Sequence, residues 1–377
     1  MKILCLYVLS GNGHLVPART MKIELEKLGH EVRLEQVFDV LKMQLIGKLN
    51  RIIWREMLRH SKTEEMIVGG ADHSNAISFL TNFCLRHRMK TLKAYLDDFP
   101  CDAIFATHPY GSTILSEMIK VMGLSIPVYY YATDVFFSPS SAISNNLRKL
   151  YIPTEEGKEW VISIGQDRDK SEICPFPLQQ NVKESPRMSK NEARTKLGLD
   201  DVFTVQLNMG GEGLGSLALL DALAKKDYEI QILVIGSIDK KMQKKVESIK
   251  RTAGKNVRII PTGFVKNVNE YLFASDIVAG RLGINTILEA FYLKRPFLVT
   301  ELVYSVKPAA QYIEKYGVGW NCNQDVPSQV KVIDTYAKDA EKLAKMDDNF
   351  GKIPITYDAG LFAKQLVKDI EEYKKNT

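Results

Sequence analysis

DIVAGRLGINTILEA, residues 276–290, holds a strand, a glycine turn and a helix start within one short stretch. Its apolar beginning predicts a buried strand, and the spacing of apolar residues after Gly283 predicts a helix. A helix start presents backbone N–H groups without intrahelical partners, so it can hold an anion. Arg281 and the Thr286 hydroxyl add donors for a diphosphate, and Glu289, on the same helix face, can accept bonds from two ribose hydroxyls.

The chain on either side repeats this strand–helix pattern. Short apolar runs end in glycine or polar residues, and each is followed by a stretch with helical periodicity, which is typical of parallel βαβ units. The runs of the first half are KILCLYVL, HEVRLEQV, DAIFATH and IPVYYYATD, and those of the second half are VFTVQLNMGGEGLG, EIQILVIG, NVRIIPTG, DIVAG and PFLVTE. The pattern predicts an α/β protein of two Rossmann-like, doubly wound domains that face a cleft.

A polar segment divides the two halves. Residues 177–192, PLQQNVKESPRMSKNE, contain two prolines and no apolar period, which is typical of an interdomain linker. We therefore predict a first domain over 1–180 and a second over 193–358. Residues 359–377 form an amphipathic helix that can pack back on the first domain.

Composition limits the class of protein. The chain has 377 residues, is 45% apolar and 25% charged, and can therefore fill two ordinary cores. Its five cysteines form no CxxC pair, which excludes a zinc ribbon and a disulfide framework and fits a reducing compartment. No window reaches the ~20 apolar residues of a membrane-spanning helix, and the first residues predict a strand rather than a signal peptide. We expect a cytoplasmic protein, soluble or peripheral on a membrane.

The positive charge is concentrated in residues 40–62. This segment holds six lysines and arginines against Glu56. The rest of the chain is nearly neutral, although the net charge of the whole is +6. Leu45, Leu49, Ile53 and Trp54 lie among the cations. The cations at helical spacing are Lys48, Arg51, Arg55, Arg59 and Lys62. A basic stripe beside leucine, isoleucine and tryptophan predicts a helix in the interface of an anionic membrane, and the alternative is a solvated helix packed on its own domain. No nucleic-acid motif accompanies it, so we expect no nucleic-acid partner.

Two further glycine-rich turns follow predicted strands. In Ser10-Gly11-Asn12-Gly13-His14 the backbone can approach a ligand, and a histidine there can take a proton from a hydroxyl; the alternative is a histidine that bonds the loop backbone. The second turn includes Gly210, Gly211 and Gly213 and suits a phosphate-bearing ligand, unless it is a simple flexible turn. Neither turn matches the GxGxxG or GxxxxGK[ST] fingerprints, so a dinucleotide or a Mg-ATP site of those kinds is not predicted.

Taken together, these stretches resemble glycosyltransferase family 28, in particular its diacylglycerol glycosyltransferases. SGNGH, DAIFATHPYGSTIL, IPVYYYATDVFFSP and LYIPTEEGKEWVISIG are similar to the family's acceptor domain, and LNMGGEGLG and TGFVKNVNEYLFASDIVAGRLGINTILEA to its donor domain. The resemblance implies a GT-B fold and an inverting hexosyltransferase of glycolipid biosynthesis. It also implies a UDP-sugar donor, a lipid acceptor and a protein that rests on the cytoplasmic membrane face. It implies no cofactor, and no DxD-type acidic pair that would hold a metal lies beside the donor motif.

The resemblance assigns roles on the acceptor side. His14 takes the place of the family's Gly-x-Gly-His histidine, the candidate base that activates the acceptor, and Asp134 that of its Thr-Asp aspartate. Gly13 and His108 lie on the acceptor side as well.

On the donor side, Phe264 and Val265 resemble the segment whose backbone holds uracil. The family's Arg-x-Gly-x-x-Thr-x-x-Glu motif corresponds to Arg281, Gly283, Thr286 and Glu289.

The chain departs from the family downstream of this motif. The usual Gly-Gln-Glu-x-x-Asn stretch is replaced by residues 304–309, YSVKPA. Ser305 and Lys307 are the candidates for replacement contacts to the donor, with Lys307 near the diphosphate. Two other functions remain open: a glycosyltransferase of the same fold with a polyprenyl-linked or soluble acceptor, and a non-catalytic protein that binds a sugar nucleotide.

Overall fold

Two six-stranded sheets organise the chain, and the strand pairs within each are parallel. The computed structural model describes residues 1–59, 76–210, 217–281, 283–302, 306–339 and 341–376. The chain divides into two compact units, of which the first is Met1–Lys183 with Ile355–Thr377 and the second is Glu184–Pro354. The prediction of two doubly wound α/β domains is confirmed.

The first unit has the strand order β2-β1-β3-β4-β5-β6. Its strands are β1 (Lys2–Tyr7), β2 (Glu31–Gln36), β3 (Ala103–Ala106), β4 (Val128–Tyr131), β5 (Lys149–Ile152) and β6 (Ser171–Ile173). Its helices are α1 (Asn12–Lys27), α2 (Val37–Val40), α3 (Gln44–Arg59), α4 (Ala76–His87), α5 (Met89–Asp98), a π-helical turn (Tyr110–Ile114), α6 (Leu115–Val121), α7 (Glu155–Ser163) and α8 (Gln180–Lys183). The strand order reverses between β1 and β3, and ligands of open α/β sheets bind at such a switch point.

The second unit has the strand order β12-β11-β10-β7-β8-β9. Its strands are β7 (Thr204–Gly210), β8 (Ile230–Gly236), β9 (Val257–Gly263), β10 (Ile277–Arg281), β11 (Phe297–Glu301) and β12 (Gly319–Asn321). Its helices are α9 (Lys190–Leu197), α10 (Leu217–Leu223), α11 (Lys240–Arg251), α12 (Val268–Ala274), α13 (Ile284–Tyr292), α14 (Lys307–Lys315), α15 (Val326–Lys338), α16 (Glu341–Ala344) and α17 (Asp347–Phe350). This is the strand order of dinucleotide-binding folds, with the switch point between β7 and β10.

The polar segment 177–192 contains two helix starts. The chain passes from the first unit to the second after Lys183, at the end of α8. The helix α9 begins with a capping box, in which Ser189 and Glu192 each bond the other's backbone N–H. The chain returns to the first unit at Ile355, a few residues before the predicted C-terminal helix. The sequence pattern showed polarity here but not these local caps.

The last helix, α18 (Ala359–Lys375), belongs to the core of the first unit. Phe362, Ala363, Leu366 and Ile370 are completely buried against one face of the first sheet. Asp369 adds a polar anchor on the same helix. Its carboxylate accepts hydrogen bonds from the Tyr151 hydroxyl and from Lys149 Nζ, the latter at 3.0 Å, and its carbonyl accepts one from the Tyr129 hydroxyl at 3.1 Å.

We expect Asp369→Ala to lower the free energy of unfolding of the first unit by about 2–3 kcal/mol, because it leaves the buried Tyr151 hydroxyl and the Lys149 amine short of partners. Tyr151→Phe removes one hydrogen bond and should cost about 1 kcal/mol. The neighbouring exposed Lys368→Ala is the matched control and should change the free energy by less than about 0.5 kcal/mol. Urea unfolding measures all three, and equal effects of the Asp369 and Lys368 variants would contradict the anchor.

Candidate functional site

The switch point of the first unit brings together the loops that follow β1, β3 and β4. The predicted Gly-x-Gly-His turn lies where β1 passes into α1, and Gly11 takes a φ of 95°, which favours glycine. Gly13 is exposed in the first turn of α1, and His14 follows it, half-buried. Thr107 and His108 follow β3, and Thr133 and Asp134 follow β4. Three separate sequence motifs therefore meet at one edge of the sheet.

Thr107 holds the histidine in place. Its backbone N–H donates to the Leu6 carbonyl at 3.0 Å, and its hydroxyl donates to the His14 carbonyl at 2.8 Å. The Thr107 carbonyl lies 2.5 Å from His14 Nδ1. Because a carbonyl oxygen accepts only, Nδ1 carries the proton, and in the neutral ring the Nε2 nitrogen keeps its lone pair.

Burial keeps both histidines of the site neutral. It lowers the pKa of His14 to about 4, although the bond to the Thr107 carbonyl raises this pKa in part. The rings of His14 and His108 meet edge to face, with centroids 4.5 Å apart. Burial, and then the nearby His14, lower the pKa of His108 well below its usual value. The Tyr110 N–H donates to His108 Nδ1 at 3.1 Å, so the neutral His108 carries its proton on Nε2.

Asp134 is the titratable group best matched to neutral pH. Burial raises its pKa from 3.8 to about 7, so near pH 7 it exists in both protonation states. The preceding residue, Thr133, has its hydroxyl 3.4 Å from His14 Nδ1, which places Asp134 beside the histidine loop. A general base works best when its pKa lies near the operating pH. Asp134 therefore fits proton transfer at pH 7 more closely than His14, the base that the sequence predicts.

The switch point of the second unit carries the predicted diphosphate motif. Gly280 on β10 pairs with Asn208 on β7, and a Cβ atom at Gly280 would lie 2.9 Å from the Asn208 carbonyl, so only glycine lets the two strands approach here. Arg281 ends β10, and Gly283 begins the helix α13 without a side-chain cap. The amides of the first turn of α13 are therefore open to a ligand rather than capped by a side chain.

The remaining members of the motif lie on α13 and at the end of β7. Thr286 is half-buried in the first turn, and Glu289 is buried one turn further. Gly210 ends β7 beside the same switch point. The predicted donor residues Gly211, Gly213 and Ser305 lie outside the described residues.

Three predicted donor residues lie elsewhere on the same sheet edge. Gly263 ends β9 with a φ of 69°, and the chain then turns to expose 73% of Phe264, while Val265 is half-buried. An exposed aromatic ring at the carboxyl edge offers a face for a base to stack on. Lys307 begins α14, where it is half-buried.

The predicted basic helix exists as α3 and has three distinct sides. Gly47 packs against Phe38, so closely that a Cβ atom would lie 3.0 Å from the Phe38 Cβ. An outward apolar face lies opposite, formed by Leu45 (81% exposed), Leu49 (55%), Ile52 (60%) and Ile53 (47%). The exposed cations flank it: they are Lys48, Arg51 and Arg55.

One other predicted member of this surface differs from the expectation. Trp54 is half-buried and follows Gly47 by two helical turns, so the structure places it on the packed side rather than with Leu45 and Leu49. Arg59 is the last residue of α3, and Lys62 lies outside the described residues.

Sequence reasoning missed the two threonines of the acceptor-side site. Thr107 and Thr133 each lie one or two residues after a buried strand, immediately before His108 and Asp134. That position was the available signal, because side chains that follow neighbouring parallel strands meet at one edge. Within the described residues, no helix is long and apolar enough to cross a membrane. The same residues contain no group of three or more His, Cys, Asp or Glu side chains that could hold a metal ion.

Comparison with known proteins shows which family the chain resembles. Residues 216–369 match the glycosyltransferase family 28 C-terminal domain. The chain is 24% identical to monogalactosyldiacylglycerol synthase 3, chloroplastic, of Arabidopsis thaliana, over 86% of this chain and 75% of the relative. It is 22% identical to the processive diacylglycerol beta-glucosyltransferase of Bacillus subtilis, over 98% of this chain and 96% of the relative.

Solved structures agree on the fold. MurG of Acinetobacter baumannii superposes with a TM-score of 0.66 at 14% identity, over 98% of this chain and 99% of that chain. HepE of Anabaena, solved in complex with UDP, superposes with a TM-score of 0.60 at 15% identity, over 99% of this chain and 100% of that chain. The predicted GT-B fold, the resemblance to family 28 and the prediction of a hexosyltransferase are confirmed.

The raised pKa of Asp134 predicts a pH-dependent stability. Because the folded state holds this proton more tightly than the unfolded state, stability falls as the pH rises from about 3.8 to about 7. Asp134→Asn should therefore be more stable than the native protein at pH 8, on the order of 2 kcal/mol after allowance for partial solvent screening, and the gain should shrink below pH 6.

Urea unfolding at a series of pH values measures this gain. The exposed Asp39→Asn, which changes the same functional group on the surface, serves as the control. A gain for Asp134→Asn that does not vary with pH would contradict the raised pKa.

Proposed function

We propose that the chain is an inverting glycosyltransferase that moves a hexose from a UDP-sugar to the hydroxyl of a diacylglycerol-type lipid at a membrane surface. The observation that carries the proposal is the pair of switch points. One holds the proton-transfer groups His14 and Asp134, and the other holds the open helix start behind Arg281. The named relatives act on diacylglycerol, which supports the acceptor class.

The donor is held by the second unit. The open amides of α13 and the Arg281 guanidinium bind the diphosphate, and the buried Glu289 carboxylate accepts the ribose hydroxyls. The exposed ring of Phe264 and the backbone beside it hold the uracil. As the bond between the sugar and the diphosphate breaks, the same cation and amides stabilise the charge that develops on UDP. This set does the work that a metal ion does in other transferases, so we expect no metal requirement.

The acceptor is activated in the first unit. Asp134 as carboxylate, or the Nε2 lone pair of His14, takes the proton of the acceptor hydroxyl. The hydroxyl oxygen forms a bond to the anomeric carbon on the face opposite to UDP, which leaves with the electron pair of the broken bond. A single displacement of this kind inverts the anomeric carbon.

The membrane side of the proposal rests on α3. Its outward face exposes four large apolar residues, and Lys48, Arg51 and Arg55 flank them. An apolar face of this kind lowers its free energy by entering the headgroup region, and the cations meet anionic lipids there. A peripheral protein on the cytoplasmic membrane face follows. A soluble acceptor would have no need of this face.

The decisive experiment is a transfer assay. The protein is incubated with diacylglycerol-containing vesicles and a panel of UDP- and GDP-sugars, in the presence and absence of EDTA. We expect a glycolipid from a UDP-sugar at an undiminished rate in EDTA. Glu289→Ala should lower donor affinity at least tenfold in calorimetry, since bonds to a charged group contribute about 1.5–3 kcal/mol each. Transfer solely to a soluble or polyprenyl-linked acceptor would assign one of the alternative functions, and loss of activity in EDTA that Mn²⁺ restores would contradict the metal-free mechanism.

The two candidate bases are separated by their variants. His14→Ala should reduce turnover by about 10²–10⁴-fold if the imidazole takes the proton, with donor binding unchanged. If Asp134 is the base, the turnover rate of the native protein should rise with pH through about 7. The Asp134→Asn variant should not show this rise. In that case the His14→Ala variant should keep the rise of the rate with pH, and its loss of turnover should be smaller. Turnover of both variants within a factor of about three of the native enzyme would move proton transfer to another group.

A further inference from the structure

The second unit carries a basic surface of its own, on helix α11. Helix α11, KKMQKKVESIKR, holds six lysines and arginines against Glu247, a local charge of +5. Residues 40–62 carry the same +5, so the charge outside that segment is near neutral only as a sum over the chain. Two separate segments, one in each unit, thus carry the positive charge.

The cations of α11 face solvent. Met242, Val246 and Ile249 fix the helix on the core of the second unit, and the opposite side is left to the charged residues. The exposed cations are Lys240, Lys241, Lys244, Lys245, Lys250 and Arg251. Within the described part of the chain, none of them forms an ion pair with a carboxylate. An open hollow of about 750 Å³ runs along this side, lined by Lys240, Gln243, Lys244, Glu247 and Arg251.

This charge arrangement opposes the stability of the helix. Lys240 and Lys241 lie in the first turn, where the helix dipole disfavours positive charge. Each also lies one turn from another lysine, Lys244 or Lys245, and like charges at this spacing repel. The Asp239 carboxylate accepts from the Met242 N–H at 2.7 Å, and it is the acidic group at this helix start. Asp239 offsets the dipole term in part, but the repulsion between the lysine pairs stays, and a helix face that keeps such repulsion is typical of a binding surface.

We propose that α11 binds the phosphate headgroups of an anionic membrane; this rests on the proposed lipid acceptor. The helix exposes no large apolar residue, so the contact is electrostatic and does not insert. Its outward face contains no aromatic ring on which the bases of a single strand could stack. Lysine-rich faces suit a diffuse layer of headgroups, whereas a nucleic-acid reader uses side chains that contact base edges.

The test uses the full chain with Lys240, Lys241, Lys244 and Lys245 changed to Gln. Sedimentation with vesicles of phosphatidylcholine and about a third phosphatidylglycerol measures partitioning at low and high salt. We expect the variant to partition on the order of a hundred- to a thousandfold more weakly at low salt, with a shallower salt dependence. Its thermal midpoint should equal or exceed that of the native protein, because the repulsion within α11 is gone.

A matched variant separates this surface from net charge. It changes four exposed lysines spread over the second unit to Gln: Lys225, Lys331, Lys338 and Lys345. The net charge falls by the same amount, yet partitioning should stay within about threefold of the native protein, because dispersed charges attract a membrane less than a cluster does. Equal partitioning of the two variants would show that α11 is a solvated face and overturn the proposal.

Two further measurements distinguish the outcomes. Tighter binding of duplex DNA or RNA than of vesicles at equal salt, lost in the α11 variant, would assign a nucleic-acid surface instead and overturn the proposal. Transfer to detergent-dispersed diacylglycerol should be equal in the α11 variant and the native protein. If the native protein transfers no sugar to any acceptor, the proposed function fails, while the vesicle measurement still decides the role of α11.

Discussion

Parallel pairing of the strands determines where the chemistry of this chain lies. Every strand pair in the described residues is parallel, so all carboxyl ends of a sheet meet at one edge and helices must cover both faces. In each unit the strand order reverses once, between β1 and β3 in the first and between β7 and β10 in the second. The loops that follow these two strands run in opposite directions and leave a crevice between them. His14, His108 and the Arg281 motif follow three of these strands, and Asp134 follows the neighbouring strand β4. Residues that are distant in sequence, such as His14 and Thr107, are brought together by the topology of the sheet.

Within the first unit, Thr107 connects two of these loops. Thr107 bonds to Leu6 and to His14, so it fastens the glycine turn after β1 to the end of β3 and orients the imidazole at the same time. The burial that makes this possible separates the pKa values of His14, about 4, and Asp134, about 7. A site with one neutral imidazole and one carboxyl group whose pKa lies near 7 can move a proton without carrying a fixed charge. The same burial costs stability whenever Asp134 ionises, which is the usual relation between a working site and the fold around it.

Sequence periodicity predicted the two sheets because buried parallel strands appear as apolar runs, and it predicted the donor motif because its members lie within one strand–helix junction. It did not predict Thr107 or Thr133, since a threonine gains its role from the loop beside it, and that neighbour is set by strand order rather than by sequence. The outward face of α3 was predicted in part. Composition put Trp54 with the exposed leucines, whereas contact with Phe38 fixes the rotation of the helix through Gly47 and turns Trp54 inward. The charge of α11 was missed because a sum over the chain conceals a local cluster that acidic residues elsewhere offset.

The distribution of charge follows from these constraints. Cations on α3 and α11 are exposed, and the attraction between such charges and an anionic surface falls off within a Debye length, roughly 8 Å at physiological salt. His14, His108 and Asp134 lie at the sheet edge, where burial rather than surface charge is the largest cause of their pKa shifts. Binding to a charged surface can therefore vary in strength without a change in the protonation state of the site.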